Sequence, residues 1–426
     1  MPMELVRGVR DFGPREAVKM RYITSKIEEM FRRFGFYPIE TPSIESMDVL
    51  NAKVYGEEAG KEMYSVEGGK AGLIYDLTVP LARYVSMNRD LVMPFKRYQI
   101  AKVWRRDEPQ KMRSREFMQA DIDIVGSKEP VSDAEVVAAT ALALESMGLM
   151  NYKILINSRI VLNAALRLFH VTDELNPKAI IVIDKLGKIS TSEALSQLVS
   201  VGVPGKDAEA LLNFVGEKME NKEKFQKILT NAPETKEEVE RLTAILDTLD
   251  AYGIQGEVMF DLSLARGLNY YTGAVWEFVA FDNDGKRLPS IASGGRYDDL
   301  IGLYSKPGYP AVGISIGISR LFEVLDLRGL GPGYTAAYVA NINKDALQYA
   351  ISVANTLRAS GINTDLNATS RSISKQLEYA NAMGIKYVVI VGKSELDAKK
   401  VKLRDMGSGS EELLDIVDAI NKIKGS

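Results

Sequence analysis

The chain has 426 residues, 46% of them apolar, and a net charge of −3 at pH 7, enough for two or three domains that each bury a core. With no cysteine and a single histidine, His170, it excludes Cys/His zinc sites, disulfide frameworks, Ser-His-Asp triads and thiol nucleophiles. The groups left for chemistry are carboxylates, guanidiniums, amines, phenols and amides, a set suited to holding a charged substrate electrostatically.

In chain order, residues 11–35 predict a helix, with Pro14 near its start, Gly35 past its end, and Met20, Ile23, Ile27, Met30, Phe31 and Phe34 on one stripe. A strand at 36–40, the proline-bounded TPSIE and a loop-rich stretch lead to a short strand at 73–75 and a helix at 77–87. After the segment 98–126 come an apolar helix at 132–147 and a strand at 153–157. Residues 159–252 show helical periodicity with many Lys/Glu pairs and read as a helical insertion. Strands resume at 258–262 and 274–281, joined through RGLNYYTG, and continue through SGGRYDDLIG and VGISIGISRL, which predicts a large, mostly antiparallel mixed sheet.

Past a glycine-rich hinge at 330–334 the pattern alternates: strand 336–342, helix 345–359, helix 373–383, strand 387–391 and a closing helix at 411–423. This predicts a separate α/β domain. The N-terminus MPMELVRGVRDFGP has no apolar h-region, and no run approaches the ~20 apolar residues of a membrane span. The expectation is a soluble, cytoplasmic protein.

The densest chemistry lies in residues 98–126, YQIAKVWRRDEPQKMRSREFMQADIDIVG. Arg105, Arg106, Lys111, Arg113 and Arg115 crowd a loop between two strand-like runs. Alone, such a basic run reads as a solvated turn. The run after it alternates, with Met118, Ala120, Ile122 and Ile124 on one face and Gln119, Asp121 and Asp123 on the other. Guanidinium forks suit phosphate oxygens, and a strand with an apolar back and an acid-and-amide front suits the floor of a polar pocket. RGLNYYTG adds paired tyrosines between glycines, SGGRYD a glycine-rich turn, and GISIGISR a strand entering a helix with an early arginine, Arg320. Each alone also reads as ordinary surface or turn.

Together and in this order, these segments resemble the class II aminoacyl-tRNA synthetases, and within them the histidyl-tRNA synthetase family. TPSIE with Pro42 resembles the first class motif, residues 103–119 the second and 313–321 the third; YDLTVPLARY, RGLNYYTG and SGGRYDDLIG are similar to segments of the histidine enzymes. The likeness covers nearly all of residues 1–330, and RSISKQLEYANAMGIKYVVIVG resembles the family's anticodon-binding domain.

The resemblance implies an α/β chain. A class II catalytic domain over 1–330 would carry a mixed, mainly antiparallel sheet flanked by helices and a helical insertion at 159–252, followed by an anticodon-binding α/β domain over 331–426. It implies activation of L-histidine by ATP, accompanied by Mg, to histidyl-adenylate and pyrophosphate. Transfer to the 3′ end of tRNA(His) by a homodimer follows, with no membrane involved and no metal held by Cys or His.

By the same resemblance Arg105 holds the ATP α-phosphate and the histidine carboxylate, Arg113 and Arg320 the outer phosphates, and Asp107, an ATP-binding residue, reaches toward the adenine or the tRNA end. Arg266 stabilises the charge at the reacting α-phosphate beside that carboxylate. Asp76, Thr78 and Gln119 take the α-ammonium; Asp123, Tyr271 and the neighbouring Tyr270 take the imidazole. Three positions depart from the family pattern: Ile74 replaces an arginine, Asp107 a glutamate, and Glu108 stands where the bacterial pattern is basic. The alternatives are a non-catalytic histidine-sensing regulatory subunit of ATP phosphoribosyltransferase, a class II synthetase for another amino acid such as proline, threonine or glycine, and a basic-loop nucleotide-binding protein without tRNA. The four arginines and the C-terminal domain argue against the first, and RGLNYYTG with the Gln119/Asp123 pair against the second.

Overall fold

The structure, a computed structural model, describes residues 3–52, 63–110, 112–186, 189–217, 219–265, 270–282, 284–327, 334–369 and 371–425. Arg266, Gly267 and most of the 330–334 hinge lie outside the described residues. The chain forms two compact units, Met1–Leu330 and Gly331–Ser426.

In the first unit, α1 (Pro14–Arg33) starts on Pro14 with Glu16 accepting the Gly13 amide at 3.1 Å, and carries Arg32 and Arg33 in its last turn, where cations favour the helix dipole. It ends before Gly35, whose φ is +76°. Its stripe of Met20, Ile23, Ile27 and Phe31 is buried. There follow β1 (Tyr37–Pro38), β2 (Ile44–Ser46), α2 (Met47–Asn51), β3 (Ser65–Val66), β4 (Ala71–Leu73) and α3 (Thr78–Met87). The hairpin β5 (Phe95–Trp104) and β6 (Glu116–Val125) comes next, then α4 (Pro130–Ser146) and β7 (Tyr152–Ser158).

Six helices run from α5 to α10 among the described residues: α5 (Arg159–Leu168), α6 (Asn176–Ile183), α7 (Thr191–Ser200), α8 (Gly205–Gly216), α9 (Asn221–Asn231) and α10 (Lys236–Tyr252). The unit closes with β8 (Glu257–Phe260), β9 (Ala274–Ala280), β10 (Ala292–Arg296), β11 (Ala311–Gly317) and α11 (Ile318–Leu327).

Among the described residues, eight strands make one sheet in the order β1-β5-β6-β11-β10-β9-β7-β8. It is antiparallel except where β1 joins β5 and β8 joins β7. One face is apolar: Tyr98, Ile122, Ile314, Trp276 and Ile154 meet Ile27 and Phe31 of α1 and Val137 of α4 in a single core. α4 is apolar nearly all round because it lies between the sheet and other helices, α10 among them. The α5–α10 segment shares this core through Leu162, Ile183, Leu211 and Leu242 rather than closing on itself.

The second unit holds β12 (Ala337–Asn341), α12 (Leu347–Ala359), β13 (Thr364–Leu366), α13 (Ile373–Met383), β14 (Tyr387–Val391), α14 (Lys393–Ala398), β15 (Val401–Asp405), β16 (Glu411–Leu414) and α15 (Ile416–Lys424). Its sheet order is β13-β12-β14-β15-β16, parallel at the first two joins and antiparallel at the last two. Val353 and Leu357 of α12 pack on one face with Val339 and Val389, and Ala380 of α13 on the other with Tyr338 and Val388.

Here the sequence expectation of one helix over 411–423 is corrected. Residues 411–414 instead pair with β15, where the ladder supplies backbone partners that a helix terminus lacks. Among the described residues no helix is long and apolar enough to cross a membrane.

Candidate active site

Strand register builds the floor on the sheet's other face. Arg97 on β5 stands opposite Asp123 on β6, Asp123 opposite Gly313 on β11, and Gly313 opposite Gly295 on β10. The adjoining row runs Gln99, Asp121, Ser315, Ser293, and the next Ala101, Gln119, Gly317. Directly opposed residues share a face, so these rows gather the polar side chains on the side away from Tyr98, Ile122 and Ile314.

Asp123 is 3% exposed and Arg97 0%. Arg97 Nη2 lies 2.6 Å from Asp123 Oδ2 and donates at 3.1 Å to the Leu77 carbonyl, which ties the start of α3 to the floor. Tyr297 donates its hydroxyl to Asp123 Oδ1. A Cβ on Gly313 would stand 1.9 Å from that same oxygen, so only glycine leaves the carboxylate its place. Burial and the Asp123 charge push the Tyr297 phenol well above its ordinary value, keeping it a donor.

The Tyr270 and Tyr271 rings lie 4.3 Å apart, tilted by 39°, with hydroxyls joined at 3.0 Å. Burial raises the Tyr270 phenol, and Asp76, Asp121 and Asp123 add to the rise. The Tyr271 ring lies over Gly295, where a Cβ would meet it at 2.8 Å. Asp76 is buried and its Oδ1 accepts the Val79 amide at 3.0 Å, while Thr78 opens α3 beside it. Gln119 donates to Ser315 Oγ at 2.8 Å. Gln119 and Asp123 therefore share one face of the floor, Asp76 and Asp123 lie near enough to Tyr270 to act on its phenol, and Thr78 follows Asp76 in the chain.

The arginines gather next to it. Arg105 leaves the end of β5, donates through Nε to the Tyr75 carbonyl at 3.0 Å and lies 5.2 Å from the centre of the Phe117 ring. Arg320, early in α11, donates to the Ser290 carbonyl at 3.0 Å. Arg113 is held by Asp107 through Nε at 2.7 Å and Nη2 at 2.5 Å, both on the one oxygen Oδ2, an ion pair between two residues that the resemblance assigns to the ATP site. Glu108 pairs instead with Arg7 on the exposed side, and Ile74 is buried against Leu77 and Val103. A cavity of about 290 Å³ is lined by Arg105, Asp107, Arg113 and Arg320 together with Gln119 and Ser315. Among the described residues no group of three acidic or histidine side chains gathers to hold a metal ion.

Four contributors were not assigned from the sequence: Arg97, Asp121, Ser315 and Tyr297. Arg97 carried a usable signal, since the alternation that separates Asp123 from Ile122 also separates Arg97 from Tyr98. Asp121 was visible on the polar face without a role, and Ser315 needed the β6–β11 register. Arg296, beside Tyr297, is structural: buried, it grips Asp133 at 3.0 and 2.7 Å.

Residues 8–321 match the family model described as histidyl-tRNA synthetase. The chain belongs to the histidyl-tRNA synthetase family. Residues 336–426 match the anticodon binding domain. The histidine–tRNA ligase of Korarchaeum cryptofilum is 37% identical over 447 residues, covering 99% of both chains. That of Pyrococcus furiosus is 35% identical over 433 residues, covering 100% of this chain and 99% of its own. The crystal structure of histidyl-tRNA synthetase from Nostoc sp. PCC 7120 superposes with a TM-score of 0.88 at 29% identity, covering 100% of this chain and 99% of its own. The mixed, mainly antiparallel sheet flanked by helices is thus the fold of this synthetase family.

Proposed function

We propose that this chain is a histidine–tRNA ligase. It joins L-histidine to ATP, releasing pyrophosphate, and then passes the histidyl group to the 3′ end of tRNA(His). The observation that supports the reading is one cavity lined by Arg105, Arg113 and Arg320 with Gln119, which shares a face of the sheet with the buried Asp123.

A histidine carboxylate oxygen attacks the α-phosphorus of ATP, the bond to pyrophosphate breaks on the opposite side, and no proton transfer is needed. Arg105 steadies the carboxylate and α-phosphate, while Arg113 and Arg320 take the outer phosphates. Arg266 meets the charge that develops at phosphorus, a contribution on the order of 3–4 kcal/mol by analogy with an oxyanion-hole donor. Magnesium arrives with ATP on its phosphate oxygens. To accept those phosphates, Arg113 exchanges its Asp107 partner for them, freeing Asp107 for the adenine side.

Asp76, Thr78 and Gln119 receive the α-ammonium. Asp123, with Tyr271 and Tyr270 near it, presents an acceptor and a hydroxyl to the two imidazole nitrogens; a pocket that pairs both rejects unpaired rings by roughly 10⁴-fold. A terminal ribose hydroxyl of tRNA then attacks the adenylate carbonyl, the ester bond forms as the acyl–phosphate bond breaks, and the hydroxyl proton leaves with the AMP phosphate. The reading includes a homodimer built around the first class motif, supported by exposed Tyr37 and Ile44 flanking Pro42, and a cytoplasmic location.

Histidine-dependent ATP–pyrophosphate exchange by the pure protein, followed by transfer to tRNA, tests it. Histidine binding without exchange would point instead to the regulatory-subunit reading.

A further inference from the structure

Gln119 donates to Ser315 Oγ, while its own amide oxygen is buried with no hydrogen-bond partner among the described residues. An amide can sit either way round, and the polarity of its neighbours decides which. Ser315 has one proton to give, and on β6 its directly opposed residue is Asp121. Side chains directly opposed across antiparallel strands lie together on one face, which brings the Asp121 carboxylate to the Ser315 hydroxyl, and that hydroxyl favours the ionised carboxylate. An ionised carboxylate only accepts, so the Ser315 proton goes to Asp121, its oxygen accepts from the Gln119 NH₂, and the Gln119 oxygen is left facing the cavity. An α-ammonium offers donors alone and requires that orientation.

We propose that Asp121 is a positioning residue for the amino acid: acting through Ser315, it holds the Gln119 amide with its oxygen toward the substrate's α-ammonium. This rests on the reading of Gln119 as part of the histidine pocket.

The charges around Asp121 give the device a direction. Arg97 on β5, Asp123 on β6, Asp76 before α3 and the Tyr270 phenol before β9 all bear on it. Among the described residues Arg97 is the guanidinium that bears on Asp121, and its close pair is with Asp123. Asp121 is 3% exposed and its Oδ1 has no hydrogen-bond partner among the described residues. Burial raises its carboxyl to about 7; Arg97 works against the rise and Asp123 and Asp76 add to it. A cationic ammonium bound beside Asp121 favours its ionised form, so binding draws the proton off Asp121, and the ionised acid in turn fixes Gln119.

The test compares histidine with its deamino analogue, 3-(imidazol-4-yl)propionate, which keeps the ring and carboxylate and lacks the ammonium. In Asp121→Asn the new amide turns its oxygen to Arg97 and its NH₂ to Ser315, which reverses the relay. Ser315→Ala removes the relay with little change of volume and carries the same test should Asp121→Asn not fold.

At pH 8 each variant should raise KM for histidine in the exchange reaction by about tenfold, the worth of one hydrogen bond to a charged group. Inhibition by the analogue should move by roughly twofold or less. The double variant should be no worse than either single one, and the KM of wild type should approach that of the variants as pH falls below about 6. Equal weakening of histidine and analogue would mean a merely structural role and overturn the proposal. An unchanged KM for histidine, or additive effects, would overturn it as well. A wild-type protein without histidine-dependent exchange would overturn the ligase reading, and the proposal with it.

Discussion

Arg97 and Asp121 set the charge balance of the floor, and each has a distinct stability signature. Arg97→Met takes the close guanidinium from the buried Asp123 carboxylate, so unfolding in urea should show a loss of about 3–5 kcal/mol; a loss under about 1 kcal/mol would mean that Arg97 is not the counter-charge that holds Asp123. Asp121 works in the opposite sense. Its folded carboxyl titrates near 7, above an unfolded value of about 3.9, so the folded state binds the extra proton. That contribution is full below about pH 4 and is lost as pH rises through 7. Asp121→Asn should therefore be more stable than wild type at pH 8, by up to a few kcal/mol, and no more stable near pH 4, as thermal melts at the two pH values would read.

The kinetic roles separate in the same way. Arg266→Ala should slow adenylation much more than it weakens histidine binding, and an unchanged rate would remove its assigned role. Asp123→Ala should raise KM for histidine chiefly; an equal rise for ATP would mean the pocket is misplaced. At this scale the sequence disclosed what lies on one strand, the alternation of Gln119, Asp121 and Asp123. It did not disclose what lies across strands, because Arg97 and Ser315 become neighbours of these acids only through pairing.

At the scale of elements, the register of β6 with β11 decides the site. Gly313→Ala puts a Cβ 1.9 Å from Asp123 Oδ1, so the carboxylate must leave the Tyr297 hydroxyl or Arg97. The expected result is a KM for histidine raised by about tenfold or more, with the KM for ATP little changed; a wild-type KM would mean that the floor adapts.

Elements with long, clean periodicity were legible: the stripe of α1, the hairpin β5–β6, and the pairing of helix 373–383 with strand 387–391. Short ones were not. Residues 411–414 merge with the following helix in the sequence because four residues of alternation do not distinguish the two periods. β13 and β15, with three and five residues respectively, are too short to stand out for the same reason.

At the scale of the whole molecule, the two units keep separate cores: Ile27, Ile122 and Trp276 belong to one, Val339, Val353 and Val389 to the other. A chain ending at residue 330 should thus retain histidine-dependent adenylation while its rate of tRNA charging falls by about a hundredfold or more. Loss of both activities in a folded fragment would mean that the second unit takes part in the first step. The change from antiparallel strands to alternating strand and helix was readable along the sequence. How α5–α10 join the main core was not, since amphipathic stripes say that a face is buried but not against what.

The measurement that bears most directly on the central claim is ATP–pyrophosphate exchange by the purified full-length chain, run separately with each of the twenty amino acids. Exchange with histidine alone, exceeding every other amino acid by roughly 10³-fold or more, is expected from a pocket that pairs both imidazole nitrogens. Exchange driven by proline, threonine, glycine or any other amino acid in preference to histidine would contradict it.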